Sequence, residues 1–168
     1  MKNLILTIKA LLFTVTLSAQ NGTIVDVAVS NNDFSTLVTA LKAADLVGAL
    51  SGEGPFTVFA PNNEAFSKID PETLGSLLEP ENVKALSNIL TYHVVSGKLM
   101  ASDVAAALKS GYGRAKLTAL NGQTLTARKK DGKIYLRDSQ GNMSEIIATD
   151  VAGSNGVIHV INSVVMPE

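Results

Sequence analysis

The sequence predicts an α+β fold in which a layer of helices packs on antiparallel sheet, and three features carry that reading. Apolar residues recur at three- and four-residue steps through the first half of the chain. From Ala115 the period drops to two. Asn121-Gly122 and Asp131-Gly132 each sit between short runs of β-forming residues, the strongest short-range signal for a hairpin. At 168 residues the chain is one domain's length, with no internal repeat, low-complexity tract or linker.

The first segment reads as an address. A basic start from Met1 to Lys9 leads into the apolar run Ala10–Leu17, and Ser18-Ala19-Gln20 follows. Basic, apolar and small residues in that order read as a secretory signal peptide over residues 1–19, with cleavage expected after Ala19, although Leu17, third before the cut, is larger than the small residue usual there. The apolar run is too short to span a bilayer as a helix, which takes about 20 residues. No Cys follows for a lipid anchor, and Val164–Glu168 offers no second apolar anchor, so release without a membrane anchor is the expectation. Losing Lys2 and Lys9 with the leader moves the formal charge from −1 to −3. The single domain is then expected over 21–168.

Within it, Asp33 is the expected N-cap of one helix through about Leu50, because Phe34, Leu37, Leu41 and Ala44 line one face and Val38 widens it. Gly52-Glu53-Gly54-Pro55 ends that helix, and Phe56–Ala60 reads as a strand. Asn62 or Asn63 caps a short helix through Ile69, and Asp70-Pro71 opens another, where Pro suits the first helical position. Val83, Leu86, Ile89 and Leu90 mark a helix that feeds an extended run, Tyr92-His93-Val94-Val95. Ser102-Asp103 is expected to cap a helix through Leu108. The runs 116–120 and 123–127 form the first hairpin, 125–128 and 133–137 the second, and 144–149 and 156–161 continue the sheet.

Composition removes several kinds of function. Fourteen basic against 15 acidic residues leave no excess for nucleic acid. Zero Cys excludes disulfides, thiolate metal sites, iron–sulfur clusters and a Cys nucleophile. There is no Gly-x-Ser-x-Gly elbow and no His-x-x-x-His or His-Glu pattern, so no catalytic residue, cofactor site or metal site is assigned. Asp138–Glu145 lacks the alternating acids of a calcium loop and reads as a polar turn. Arg128-Lys129-Lys130 with Lys133 is the one basic cluster; it is either a solvated hairpin tip or a contact for acidic polysaccharide. Asn21-Gly22-Thr23 and Asn142-Met143-Ser144 match the glycosylation pattern.

Three stretches resemble the fasciclin (FAS1) domain family. Phe56-Thr-Val-Phe-Ala-Pro-Asn-Asn-Glu-Ala-Phe66 is similar to its first signature, Tyr92-His93-Val94-Val95 to its Tyr-His motif, and Asn155-Gly-Val-Ile-His-Val-Ile-Asn-Ser-Val-Val-Met-Pro167 to its closing signature. Asn62 stands where the family commonly has Thr, and Asn162 where it commonly has Asp. Both can make local backbone hydrogen bonds, but a role requiring charge at 162 is placed in doubt. The resemblance implies a β-wedge or sandwich with a layer of helices, display outside the cytoplasm in the periplasm or extracellular space, and non-catalytic adhesion to cell-surface or matrix components. In some animal members the Tyr-His region is linked to integrin-type binding, but this chain has no Arg-Gly-Asp.

Tyr92, His93, Val94 and Val95 are therefore the candidate binding residues. On a strand, Tyr92 and Val94 would share one face and His93 and Val95 the other. The competing reading makes His93 a partly buried group locked by a hydrogen bond, and the same holds for His159 among its β-branched neighbours. The expected partner is a cell-surface or matrix protein or polysaccharide, with no nucleic acid. The alternative is a periplasmic or secreted carrier of a small ligand or polysaccharide, which needs a preformed concave pocket. An unrecognised hydrolase would need a Ser or Asp within hydrogen-bond reach of His93 or His159.

Overall fold

The computed structural model describes residues 22–168, so the proposed leader and Asn21 lie outside the described residues. The helical segments are α1 (Ile24–Ser30), α2 (Ser35–Ala43), α3 (Val47–Leu50), α4 (Asn63–Ser67), α5 (Pro71–Leu77), α6 (Val83–Tyr92) and α7 (Ala101–Ser110). The strands are β1 (Phe56–Pro61), β2 (Val94–Ser96), β3 (Arg114–Thr118), β4 (Thr124–Lys130), β5 (Lys133–Arg137), β6 (Met143–Gly153) and β7 (Gly156–Ile161).

The strands form one sheet in the order β2-β1-β7-β6-β5-β4-β3. It is mixed and not purely antiparallel as expected, since β1 runs parallel to β7, with Phe56 opposite Gly156 and Pro61 opposite Ile161. A parallel pair needs a long crossover, and here α4 to α7 and β2 to β6 all lie between the two strands. The sheet curls until its edges meet: Val95 bridges to Ala119, and Leu120 N–H donates to the Val94 carbonyl at 2.8 Å. Meeting edges leave fewer unpaired backbone groups.

Strand β6 makes the curl possible. It pairs with β5 at one end and β7 along the rest, and its register slips between Ile146 and Ala148 and again between Ala148 and Val151. Asp150, inside the second irregularity, has φ of 60°. Such bulges bend a strand and increase its twist.

Two apolar clusters fill the wedge. One joins α1, α2 and α6 to β1 and β7 through Ile24, Leu41, Leu86, Leu90, Val58 and Ile158. The other joins α7 to β3–β5 through Val104, Leu108, Leu117, Leu125 and Leu136, with Phe59, Tyr92 and Ile161 at its centre.

Both hairpins form where expected. Asp131 and Gly132 take φ of 51° and 78°, the pair of positive angles that suits a tight hairpin turn. The helices depart from expectation at three places. The single helix expected from Asp33 to Leu50 is broken: a 3-10 turn over Asn32–Phe34 is capped by Asn31, whose side chain accepts from Asp33 N–H at 2.9 Å, and α2 then ends at Ala43. Asp45 adopts φ of 55°, Leu46 N–H donates to Leu41 O at 3.0 Å and Asp45 N–H to Lys42 O at 3.2 Å. These are the two bonds of a left-handed helix stop. Helix α1 was not anticipated, although Thr23 and Asp26 form a reciprocal capping box at its start. At α7 the cap position is Met100, and Asp103 is the third helical residue, accepting from Met100 N–H at 2.9 Å.

Candidate functional site

Tyr92 and His93 are not strand residues. Tyr92 is the last residue of α6, His93 is its C-cap in helical conformation, and the strand begins only at Val94. The alternation expected across Tyr92–Val95 therefore does not exist, because two consecutive helical residues point about 100° apart rather than to opposite faces. All four candidate binding residues lie inside the molecule: Tyr92 is 0%, His93 2%, Val94 2% and Val95 4% exposed. In this structure they present no surface to a partner.

Tyr92 crosses the second core cluster and delivers its hydroxyl to backbone on the far side. The phenol O–H donates to Thr124 O at 3.0 Å and accepts from Ser139 N–H at 3.0 Å, and Ser139 Oγ lies 3.1 Å away. Burial raises the phenol above its ordinary pKa, against the lowering effect of the Ser139 hydrogen bonds.

His93 is held on both sides of its ring. Nδ1 donates to Ile89 O at 2.8 Å, one helical turn back, and Nε2 accepts from Val165 N–H at 3.2 Å. That pattern selects the neutral Nδ1–H tautomer. Burial lowers its pKa to about 4, against smaller raising effects from the Ile89 carbonyl and the Asp138 charge. His159 uses the other tautomer: Nε2 donates to Leu99 O at 2.7 Å and Nδ1 accepts from Asp150 N–H at 3.3 Å. Its ring stacks on Phe59 with centroids 5.6 Å apart. The ring nitrogens of both histidines thus bond to backbone, and neither is given a Ser or Asp side chain as a hydrogen-bond partner.

The other motif residues have equally local duties. Asn62 Oδ1 accepts from Ala65 N–H at 2.8 Å and caps α4. Asn63 reaches across to α2, where its Oδ1 accepts from Thr36 N–H at 3.0 Å. Asn162 Oδ1 accepts from Glu145 N–H at 2.9 Å. The position needs an acceptor, which the amide supplies without the carboxylate charge. Asn155, at the β6–β7 turn, accepts from Ile24 N–H at 2.9 Å and donates to Leu50 O and Gly52 O at 2.8 and 2.7 Å, tying α1 and α3 to the sheet. In the polar turn, Asp138 accepts from Asn142 and from Met166 N–H. Ser144, of the Asn142 glycosylation pattern, is buried against Ser163. Among the described residues no group of three or more His, Asp or Glu side chains is placed to hold a metal ion.

The basic cluster does reach the surface. Lys130 and Lys133 flank the β4–β5 turn, and register brings Arg128 opposite Arg114 and Thr126 opposite both Lys116 and Arg137. Arg114, Lys116 and Arg137 were not singled out from sequence. The signal that could have found the first two is the alternation in Arg114-Ala115-Lys116-Leu117, with cations outward and apolar residues inward.

A mixed wedge with a buried Tyr-His corner and a closing strand flanked by Asn155 and Asn162 defines a class, and the sequence model of the fasciclin domain matches residues 32–167. The chain belongs to the fasciclin domain family. It is 52% identical to Protein sll1483 of Synechocystis sp. over 145 residues, covering 86% of this chain and 73% of that protein. It is 33% identical to immunogenic protein MPB70 of Mycobacterium bovis, covering 85% and 68% of the two chains. Transforming growth factor-beta-induced protein ig-h3 of Sus scrofa is 36% identical over 146 residues, which is 87% of this chain and 19% of that protein. Among solved structures, the FAS1 domain pair of the insect cell adhesion molecule Fasciclin I superposes with a TM-score of 0.74 at 18% identity, covering 84% of this chain and 49% of the pair. That last likeness is one of fold, and this chain spans about half the pair's length.

Proposed function

We propose that the protein is an exported, non-catalytic adhesion module that engages cell-surface or matrix components through its outer surface. Membership of the fasciclin domain family carries this reading, and the fold it shares with domains of an insect cell adhesion molecule supports it. The non-catalytic part draws on the histidines, whose ring nitrogens are bonded to backbone and so are not poised for proton transfer. Export draws on the basic, apolar and small segments of residues 1–19, and no helix among the described residues is long and apolar enough to cross a membrane. In this reading Tyr92, His93, Val94 and Val95 shape the surface from within. One small domain gives weak contacts, so adhesion relies on many copies.

The test is retention of the bead-displayed domain on envelope and matrix fractions of the producing organism. Retention is expected, and His93→Gln with an unchanged melting temperature is retained equally. Absence of retention at any bead density would remove the adhesion reading. The carrier reading rests on one recess of about 550 Å³ between α7 and the β4–β5 hairpin, lined by Ala105, Leu108, Lys109, Lys129 and Ile134. Co-purification of a small molecule lost on Leu108→Trp would favour it.

A further inference from the structure

We propose that the outward face of β3, β4 and β5 is a docking surface for an acidic polysaccharide, an inference that rests on the adhesion reading and names the chemistry of its partner. The sequence contains three arginines, Arg114, Arg128 and Arg137, and the pairing register puts all three on this face. Lys116 and Lys130 lie on the same side. Among the described residues the one ion pair is Lys133–Glu145, at 2.8 Å, so these five cations have no carboxylate within ion-pair distance.

The arrangement opposes local stability. Arg114 stands directly opposite Arg128 and Lys130 opposite Lys133, and like charges facing across a strand pair are unfavourable. A sheet under no other demand would place opposite charges there. The charge is also segregated along the chain. Residues 22–103 hold ten acidic and four basic residues, whereas residues 104–168 hold five acidic and eight basic, net −6 against +3. Such a divided field favours encounter with an anion on one side only.

The geometry suits a chain of sugars carrying regular anions. Alternate residues on a strand lie about 7 Å apart and neighbouring strands about 4.8 Å apart, so the cations form a lattice with the spacing of single sugar rings. A recess of about 420 Å³ is lined by Arg114, Lys116, Thr126, Arg128 and Arg137, which places a hydroxyl among the cations. Beside it Tyr112 is 98% exposed, offering an apolar ring face next to Arg114. Arg forks bind carboxylate and sulfate in two-point fashion.

The experiment is calorimetric titration of the intact mature domain with polygalacturonate, with neutral dextran, phosphatidylglycerol vesicles and single-stranded DNA as comparators. Polygalacturonate is expected to bind and dextran not to, with affinity falling as salt rises. The triple variant Arg114→Gln, Arg128→Gln, Arg137→Gln is expected to lose at least tenfold in affinity while melting no lower than wild type, and exposed Lys84→Gln to lose nothing. No binding to polygalacturonate, equal binding by the triple variant, tighter binding to vesicles or DNA, or self-association that the triple variant abolishes would each overturn the proposal. Envelope retention separates it from the broader reading. Wild type and triple variant retained equally leaves adhesion standing without this surface, whereas polygalacturonate binding without envelope retention leaves the surface standing without adhesion.

Discussion

Tyr92 bonds through its hydroxyl to backbone that follows it by more than thirty residues, at Thr124 and Ser139, and its ring is fully enclosed. Tyr92→Ala is therefore expected to cost about 3–5 kcal/mol of stability by cavity formation and loss of those bonds, read by urea unfolding. His93 makes a different prediction. Its folded pKa of about 4 lies below its ordinary 6.5, so the unfolded chain binds the additional proton between those values. Stability consequently falls as pH drops from about 6.5 to 4, by on the order of 3 kcal/mol. Protonation would aim a second ring N–H at the Val165 N–H, donor against donor. Chemical unfolding across that pH range is expected to show the slope in wild type and a flatter profile in His93→Gln. The chemical identity of both residues was legible as a motif. Their burial was not, because it depends on where α6 ends, and helix ends are set by tertiary contacts as much as by local residues.

At the level of elements, the sequence marks turns better than it marks helix interruptions. Asn121-Gly122 and Asp131-Gly132 announce their hairpins because turn residues there adopt positive φ, at Gly122 in the first and at both Asp131 and Gly132 in the second. The end of α2 carries no such announcement, since Asp45 holds the left-handed position usually given to Gly. That residue carries strain a glycine would not, so Asp45→Gly is expected to raise stability by about 1 kcal/mol in thermal or urea unfolding. The apolar stripe from Phe34 to Leu50 hides the break, because α2 and α3 bury residues into the same cluster on either side of it. Helix α1 was missed for the opposite reason. It is short, and its one local signal is the capping box of Thr23 and Asp26.

For the molecule as a whole, the last residues act as a strap across the wedge. Val165 is buried and its N–H reaches His93, Met166 N–H donates to Asp138 at 3.0 Å, the Pro167 carbonyl accepts from Gln140 at 3.0 Å, and Glu168 N–H donates to Gln123 at 3.0 Å. Truncation after Asn162 is expected to remove more than about 3 kcal/mol and to lower Tm by roughly 10 °C, measured by scanning calorimetry. The basic face belongs to the same scale. Arg128, Lys130 and Lys133 lie within six residues of one another in sequence, but Arg114 and Arg137 join them only through pairing between strands. By itself the sequence determined the α+β class, the hairpins and the family, because each rests on residue type within a short window: periodicity, turn chemistry and signature order. Only the tertiary structure decided that β1 lies parallel to β7, that the Tyr-His pair is inside, and which cations share a surface, because each depends on which distant segments become neighbours once apolar faces are buried.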